Sequence, residues 1–271
     1  MTHLTAFNIS VDFPLYHSDN RSLKKTILGA TTGRFSQDDK NRPVVQALRN
    51  VSFTLRSGDR LGLIGSNGSG KTTLLRALSG IYQPSLGSLS MEGRLTSLLD
   101  PGQGMNMELS GRENIRLRGY FLGLPAAEIA RLEADVEDFA EIDQFIDIPV
   151  RNYSSGMVVR LAFAMATAIH PEILLMDEWI LAGDAAFMEK AKRRVEAMVN
   201  KADILILASH SSNIIAEWCN RLIWLEQGKI KAEGKPLEVL SQYLPAHQFQ
   251  ELVSSNIISI AGDNFRRTEQ P

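Results

Sequence analysis

The chain has 271 residues, 44% of them apolar and 22% charged, enough for a hydrophobic core and for one large domain or two modest ones. A formal net charge of −2 supplies no global field for a polyanion and argues against a dedicated nucleic-acid binder; the single cysteine, Cys219, excludes an intrachain disulfide and a cysteine-cluster metal site. No stretch approaches the roughly 18 apolar residues of a membrane-spanning helix, and the first ten residues lack the basic flank and apolar run of a signal peptide, so composition points to a soluble protein in a reducing cytoplasm.

In chain order, residues 4–13 read as a strand. Residues 14–46 shift in composition, with six basic side chains (Arg21, Lys24, Lys25, Arg34, Lys40, Arg42) against three acidic ones (Asp19, Asp38, Asp39). Within them, residues 22–28 fit a short helix with Leu23 and Ile27 on one face, and the remainder, through Gly33 and Pro43, reads as loop. Strands are predicted at 51–55 and 60–64, a glycine-rich turn at 65–70, and a helix from Lys71 to about Ser79, closed by Gly80. Two further strands follow at 87–91 and 95–99, and residues 101–104 break the pattern.

The chain then turns helical. Segments 111–122 and 125–140 are amphipathic, with Pro125 suited to a first helical position, and a third helix spans 154–169 before Pro171. Buried strands at 173–176 and 204–208 enclose a helix at 185–200. Such strand–helix alternation implies a parallel sheet with helices on its faces, interrupted by a helical insertion over about 105–170. The tail beyond Tyr243 is weakly patterned and ends polar.

Four places in this layout carry chemistry. Gly65-Ser66-Asn67-Gly68-Ser69-Gly70-Lys71-Thr72 matches the phosphate-binding pattern G-x-x-x-x-G-K-[ST], and lies between a predicted strand and a predicted helix. Glycines let successive amides curl around phosphate oxygens, the helix directs its positive end at them, Lys71 supplies a point charge, and the Thr72 hydroxyl suits Mg2+. The strand at 173–176 runs into Asp177 and Glu178, placing two carboxylates where parallel sheets bind ligands, one for the Mg2+ shell and one to polarise an attacking water. His210 follows the strand at 204–208, where it fits either a γ-phosphate contact or a structural role. Tyr153-Ser154-Ser155-Gly156-Met157 opens a helix; Ser154 reads as a plain N-cap, or with Gly156 as a grip on an ATP phosphate held by a second subunit, and periodicity leaves both open.

This ordered set, with Asp184 six residues beyond Glu178, resembles the nucleotide-binding domain of an ABC ATPase over roughly residues 4–240. The resemblance implies an α/β fold: a RecA-like P-loop NTPase core with a mainly parallel sheet, an antiparallel β subdomain and an inserted helical subdomain, together filling residues 1–243. It implies ATP and Mg2+, and a homodimer of such domains, head to tail, with two ATP molecules between them. The phosphate (Walker A) loop with Thr73 would bind nucleotide, Ser154 and Gly156 would be signature residues, Asp184 would lie in the D-loop, and His210 would be the switch histidine. Lys71, Glu178 and His210 would act in hydrolysis, and Thr72, Asp177 and Asp100 would surround the metal. Two departures stand out. Tyr153, Ser155 and Met157 replace three residues of the usual Leu-Ser-Gly-Gly-Gln signature, and the family's glutamine before the helical insertion is represented by Asp100, with Gln103 three residues on. For the aromatic that stacks on adenine, Tyr16 and Phe13 are the candidates, Tyr16 preferred.

The Tyr-Ser-Ser-Gly-Met signature, the run Glu108-Leu109-Ser110-Gly111 leading to Glu113-Asn114-Ile115, and the basic insertion together resemble the ATPase subunits of bacterial surface-polysaccharide exporters of the O-antigen, galactan, teichoic-acid and capsule type. That implies a separate integral-membrane permease as partner, coupled near residues 100–113, a lipid-linked polysaccharide as cargo, and a peripheral location on the cytoplasmic face of the inner membrane. Residues 244–271 are too few for the carbohydrate-binding domain some members carry. Lys24 and Lys25 fit either a solvated helix face or contact with anionic lipid. The competing readings are a soluble ABC ATPase of DNA repair or the ribosome, disfavoured by the lack of heptads and the single phosphate loop, an ABC subunit for another substrate, and a P-loop kinase, which would not need Tyr153–Met157 or Asp184.

Overall fold

The structure, a computed structural model, describes residues 1–14, 35–37, 43–100, 102, 104–177 and 185–254. In chain order the elements are β1 (His3–Pro14), β2 (Phe35–Gln37), β3 (Pro43–Arg56), β4 (Arg60–Ile64), α1 (Lys71–Leu78), β5 (Leu86–Glu92), β6 (Leu95–Leu98), α2 (Gly111–Phe121), α3 (Ala126–Ala140), α4 (Ser155–Thr167), β7 (Ile173–Asp177), α5 (Ala185–Lys201), β8 (Ile204–Ala208), α6 (Ser212–Trp218), β9 (Arg221–Glu226), β10 (Lys229–Gly234), α7 (Pro236–Tyr243) and α8 (Ala246–Ser254), with 3-10 turns at Asp143–Asp147 and Val150–Asn152. They form two compact units, one from the described parts of Met1–Gly93, Leu175–Glu178 and Asp203–Pro271, the other from those of Arg94–Leu174 and Trp179–Ala202.

The first unit holds two sheets. An antiparallel one runs β2-β3-β1-β5, in register at Leu4↔Leu55 and Leu4↔Met91, with inward residues Leu4, Ala6, Leu55 and Phe53 buried. In the other, β10-β9-β4-β8 lead to the end of β7; β4 pairs parallel with both β8 and β9, and β10 closes that edge antiparallel. Every residue of β4 and β8 is buried, which is why, after Arg60 at the start of β4, both read as short apolar runs without alternation. β3 begins at Pro43, so the end of the segment expected to be loop is strand: Val44 and Val45 pair with Pro14 and Phe13 of β1, and Phe35–Gln37 pair with Pro43–Val45. The expected helix at 22–28 lies outside the described residues. In the tail, α8 is a helix where patterning was weak, because Leu252 alone of its residues is buried.

The second unit is mainly helical. α3 buries Ile129, Leu132, Val136 and Phe139 at helical spacing, and α4 buries Leu161 to Thr167 without a break. Phe139, Phe163 and Phe187 meet with centroids 5.7–5.9 Å apart. Gly119 lets α2 close on α3, since a Cβ there would lie 2.7 Å from Ile129 Cγ1. Arg112 pairs with Glu137 and Asp147, and Arg116 with Glu133, tying α2 to α3 and to the following 3-10 turn. Pro125 is the N-cap of α3 rather than its first helical residue: its ψ of 157° is extended. Among the described residues no helix is long and apolar enough to cross a membrane.

Candidate functional site

Gly65 to Gly70 leave the buried end of β4 and enter α1 directly. Gly65 has φ +147°, and a Cβ there would collide with the Leu225 carbonyl oxygen and lie 2.6 Å from Ser69 Oγ. Gly70, the N-cap of α1, has φ +116°, and a Cβ there would meet Leu48 Cδ2 at 2.9 Å and the Ala47 oxygen at 3.0 Å. Both positions therefore exclude a side chain on conformational and steric grounds. The turn is pinned by Ser69 N donating to Ser66 O at 3.0 Å, by Leu74 N donating to Gly70 O at 2.8 Å, and by Gly228 N donating to Ser69 O at 2.8 Å. Ser66, Asn67 and Gly68 form an exposed tip.

Lys71 is 7% exposed, and its ammonium donates to the carbonyls of Gly65 at 2.7 Å and Ser66 at 3.4 Å. The charge is thus held inside the curve of the loop. Ser69 Oγ is buried with no hydrogen-bond partner among the described residues, a donor that an anionic oxygen at the loop would satisfy. Thr72 is exposed and Thr73 half-buried on the first turn of α1. The loop can surround an anion with backbone, one ammonium and a helix N-terminus, as phosphate requires.

The parallel register Leu63↔Ala208 brings the ends of β4 and β8 level, so Ser209 and His210 emerge beside the start of the loop, with Ser209 N donating to Leu63 O at 3.4 Å. Ser209 is buried and its Oγ accepts from Ser211 N at 3.0 Å, while His210 is exposed. Asp177 ends β7, the strand next to β8, and is half-exposed after four buried residues. Its carboxylate and the Thr72 hydroxyl are hard oxygen donors of the kind Mg2+ takes. Phe13, the other adenine candidate, lies half-buried at the end of β1 and packs edge-on against Tyr82 at 5.1 Å; Tyr82 also accepts from Arg76 Nη1 at 3.0 Å. Tyr16, Gln103, Glu178 and Asp184 lie outside the described residues.

Ser154, Gly156 and Asp100 belong to the second unit. Ser154 is the N-cap of α4: its Oγ accepts from Met157 N at 3.2 Å, and its hydroxyl proton stays available to another acceptor. Ser154, Ser155 and Gly156 are all exposed, so the helix end is open. The exposed Asp100 uses Oδ1 to accept from Gly102 N at 3.1 Å in a local turn. Next to Asp100, residues 104–114 are organised by two hydrogen-bonded devices, built around residues named in the sequence only for the exporter resemblance. Ser110 and Glu113 form a reciprocal capping box for α2, legible from the S-x-x-E spacing. The buried Asn114 donates to the carbonyls of Asn106 and Ser110, both at 2.9 Å, and accepts from Asn106 N at 2.7 Å.

Comparison with known proteins matches these features to one group. A family profile described as ABC transporter matches residues 48–181. An O-antigen export system ATP-binding protein of Yersinia enterocolitica is 43% identical over 235 residues, covering 86% of this chain and 98% of that protein. A teichoic acids export ATP-binding protein of Lactococcus lactis is 37% identical over 230 residues, 85% of this chain, which spans about half (47%) of that relative's length. Among solved structures, a dimeric ATP-binding cassette in a post-hydrolysis state with ADP and Pi has a TM-score of 0.61 at 18% identity, covering 86% of this chain and 98% of the other, a likeness of fold. An ATP-binding subunit of an ABC transporter reaches a TM-score of 0.65 at 20% identity, covering 92% and 99%.

Proposed function

This chain belongs to the ABC transporter family, and on that premise we propose that it is the ATP-hydrolysing subunit of an exporter of lipid-linked polysaccharide, working as a peripheral homodimer on the cytoplasmic face of the bacterial inner membrane beneath a separate permease. The observation that carries the ATPase reading is the phosphate loop, with two positions closed to any side chain and the Lys71 ammonium held within its curve. The polysaccharide reading is supported by near full-length similarity to an O-antigen export subunit. The cassette would run through residues 1–243, with the rest of the chain an appended tail.

Each residue has a task in this reading. Gly65 to Thr73 bind the nucleotide phosphates, and Lys71 neutralises charge as the γ-phosphoryl bond breaks. Glu178 orients the attacking water, and His210, level with the loop, contacts the γ-phosphate. Ser154 and Gly156 of one copy meet the nucleotide held by the loop of the other, with Asp184 at the seam. Thr72 and Asp177 would hold Mg2+, with Asp100 or Gln103 completing its surroundings, and the ion would supply positive charge to offset that of the nucleotide phosphates. Tyr16 or Phe13 supports the adenine. The permease couples near residues 100–113, and no nucleic acid is involved.

Deleting the gene should leave lipid-linked glycan accumulating inside the cell while surface glycan is lost. Plasmid-borne parent protein should reverse both effects, and the Lys71→Ala form should reverse neither. Normal surface glycan in the deletion strain would refute the cargo assignment and leave the ATPase assignment standing.

A further inference from the structure

Tyr153 stands immediately before the cap residue Ser154, at the place where the usual signature has leucine, and the residue is 9% exposed. Its hydroxyl donates to the Phe145 carbonyl at 2.6 Å. Burial pushes the phenol's pKa up, and the Gly111 amide, directed at the same oxygen, offsets part of that push; the group stays protonated and able to donate. Gly111 is the first residue of α2, where backbone amides have no intrahelical acceptor. One phenol thus links the start of α2, the 3-10 turn containing Phe145, and the entry to α4.

The fit of Gly111 is equally specific. A Cβ on it would lie 2.6 Å from Tyr153 Oη and 2.9 Å from Ile146 Cδ1. Its conformation is ordinary for a helix, so the absent side chain answers to this oxygen and its neighbour rather than to backbone strain. The segments on either side are laced together as well: Arg151 N donates to Met107 O and Val150 N to Leu109 O, both at 2.9 Å, Ser110 bridges to Pro149, and Arg151 pairs with Glu108. Residues 107–111 and 149–153 therefore form one tied body that ends at Ser154. A leucine at 153 would fill the space but leave the Phe145 carbonyl without this donor.

We infer that Tyr153 is a positioning residue for ATP hydrolysis: its hydroxyl sets the start of α4, and with it Ser154 and Gly156, against the nucleotide of the second copy, and Gly111 is its matched partner, small in order to admit it. This rests on the proposed signature role of Ser154. It makes segment 107–111 a lever on the signature: a displacement there reaches Ser154 through the phenol.

The test is steady-state ATP hydrolysis and equilibrium ATP binding by the full chain. Tyr153→Phe keeps the ring and removes the hydroxyl; kcat should fall about two- to tenfold, the span of one net hydrogen bond, with ATP affinity and KM unchanged. Gly111→Ala should also lower kcat, and by a smaller factor when added to Tyr153→Phe than when added to the parent, because the colliding oxygen is gone. Parent kcat in Tyr153→Phe, a loss that goes with weakened ATP binding, or an equal Gly111→Ala factor in both backgrounds would overturn the inference. Ser154→Ala separates the two layers. If it lowers kcat while Tyr153→Phe does not, only the positioning role fails; if it leaves kcat at the parent value, the signature reading fails and this inference falls with it.

Discussion

The phosphate loop and the proposed signature turn are both short, Gly- and Ser-containing entries to a helix, yet they are held in different ways. At Gly65–Lys71 the lysine and two of the pinning hydrogen bonds close on residues of the same loop and helix, and the outer contacts come from β3, β9 and the β9–β10 turn of the same unit. At Tyr153–Gly156 the serine, among the described residues, makes its own cap, and further support arrives from residues 107–111 and 145. A turn whose lysine and first hydrogen bonds close on its own residues is visible as a motif. A turn braced by other segments depends on residues that its own short sequence does not show.

That contrast can be broken by asking which measurement each change disturbs. The largest effect belongs to Glu178→Gln: turnover should fall by about 10²–10⁴, the usual contribution of general-base assistance, while ATP binding persists. Hydrolysis at the parent rate would remove Glu178 from the mechanism. Lys71→Ala should act on binding itself, weakening ATP affinity by about ten- to a hundredfold, the range of a charge-assisted hydrogen bond, as read by equilibrium titration. Unchanged affinity would contradict the loop's role. Tyr153→Phe comes third, with its smaller loss confined to kcat.

The smallest effect concerns the helical unit alone. Hydrogen bonding from Arg112 holds the Asp147 carboxyl below the usual carboxylate range. A group lowered on folding stabilises above its unfolded pKa, and that contribution is lost as pH falls through its folded value. Asp147→Asn should therefore shift thermal stability slightly near neutrality and not at pH low enough to protonate Asp147, because an exposed pair is well screened. An equal shift at both ends of that range would show that the pair carries no pH dependence.

The phosphate loop was legible because strand, turn and helix are contiguous and each glycine has a local reason. Strands 173–176 and 204–208 were legible because complete burial demands an unbroken apolar run. The start of β3 was not, since residues 43–46 become strand only by pairing with β1 and β2. Pro125 missed by one position because both an N-cap and a first helical residue accept its fixed φ. Helix α8 offered one buried residue and no stripe. The role of Tyr153 was hidden because its acceptor lies eight residues earlier and its glycine partner in another helix.

The glycines and Lys71 of the phosphate loop, neighbours along the chain, were readable from residue order, because bond geometry fixes how far apart such groups can be. The levelling of His210 with the loop needed the β4–β8 register, and the matching of Tyr153 to Gly111 needed α2 and α4 folded against each other. Those relations are distances between segments remote in sequence, and packing and hydrogen bonding set them only once the core has formed.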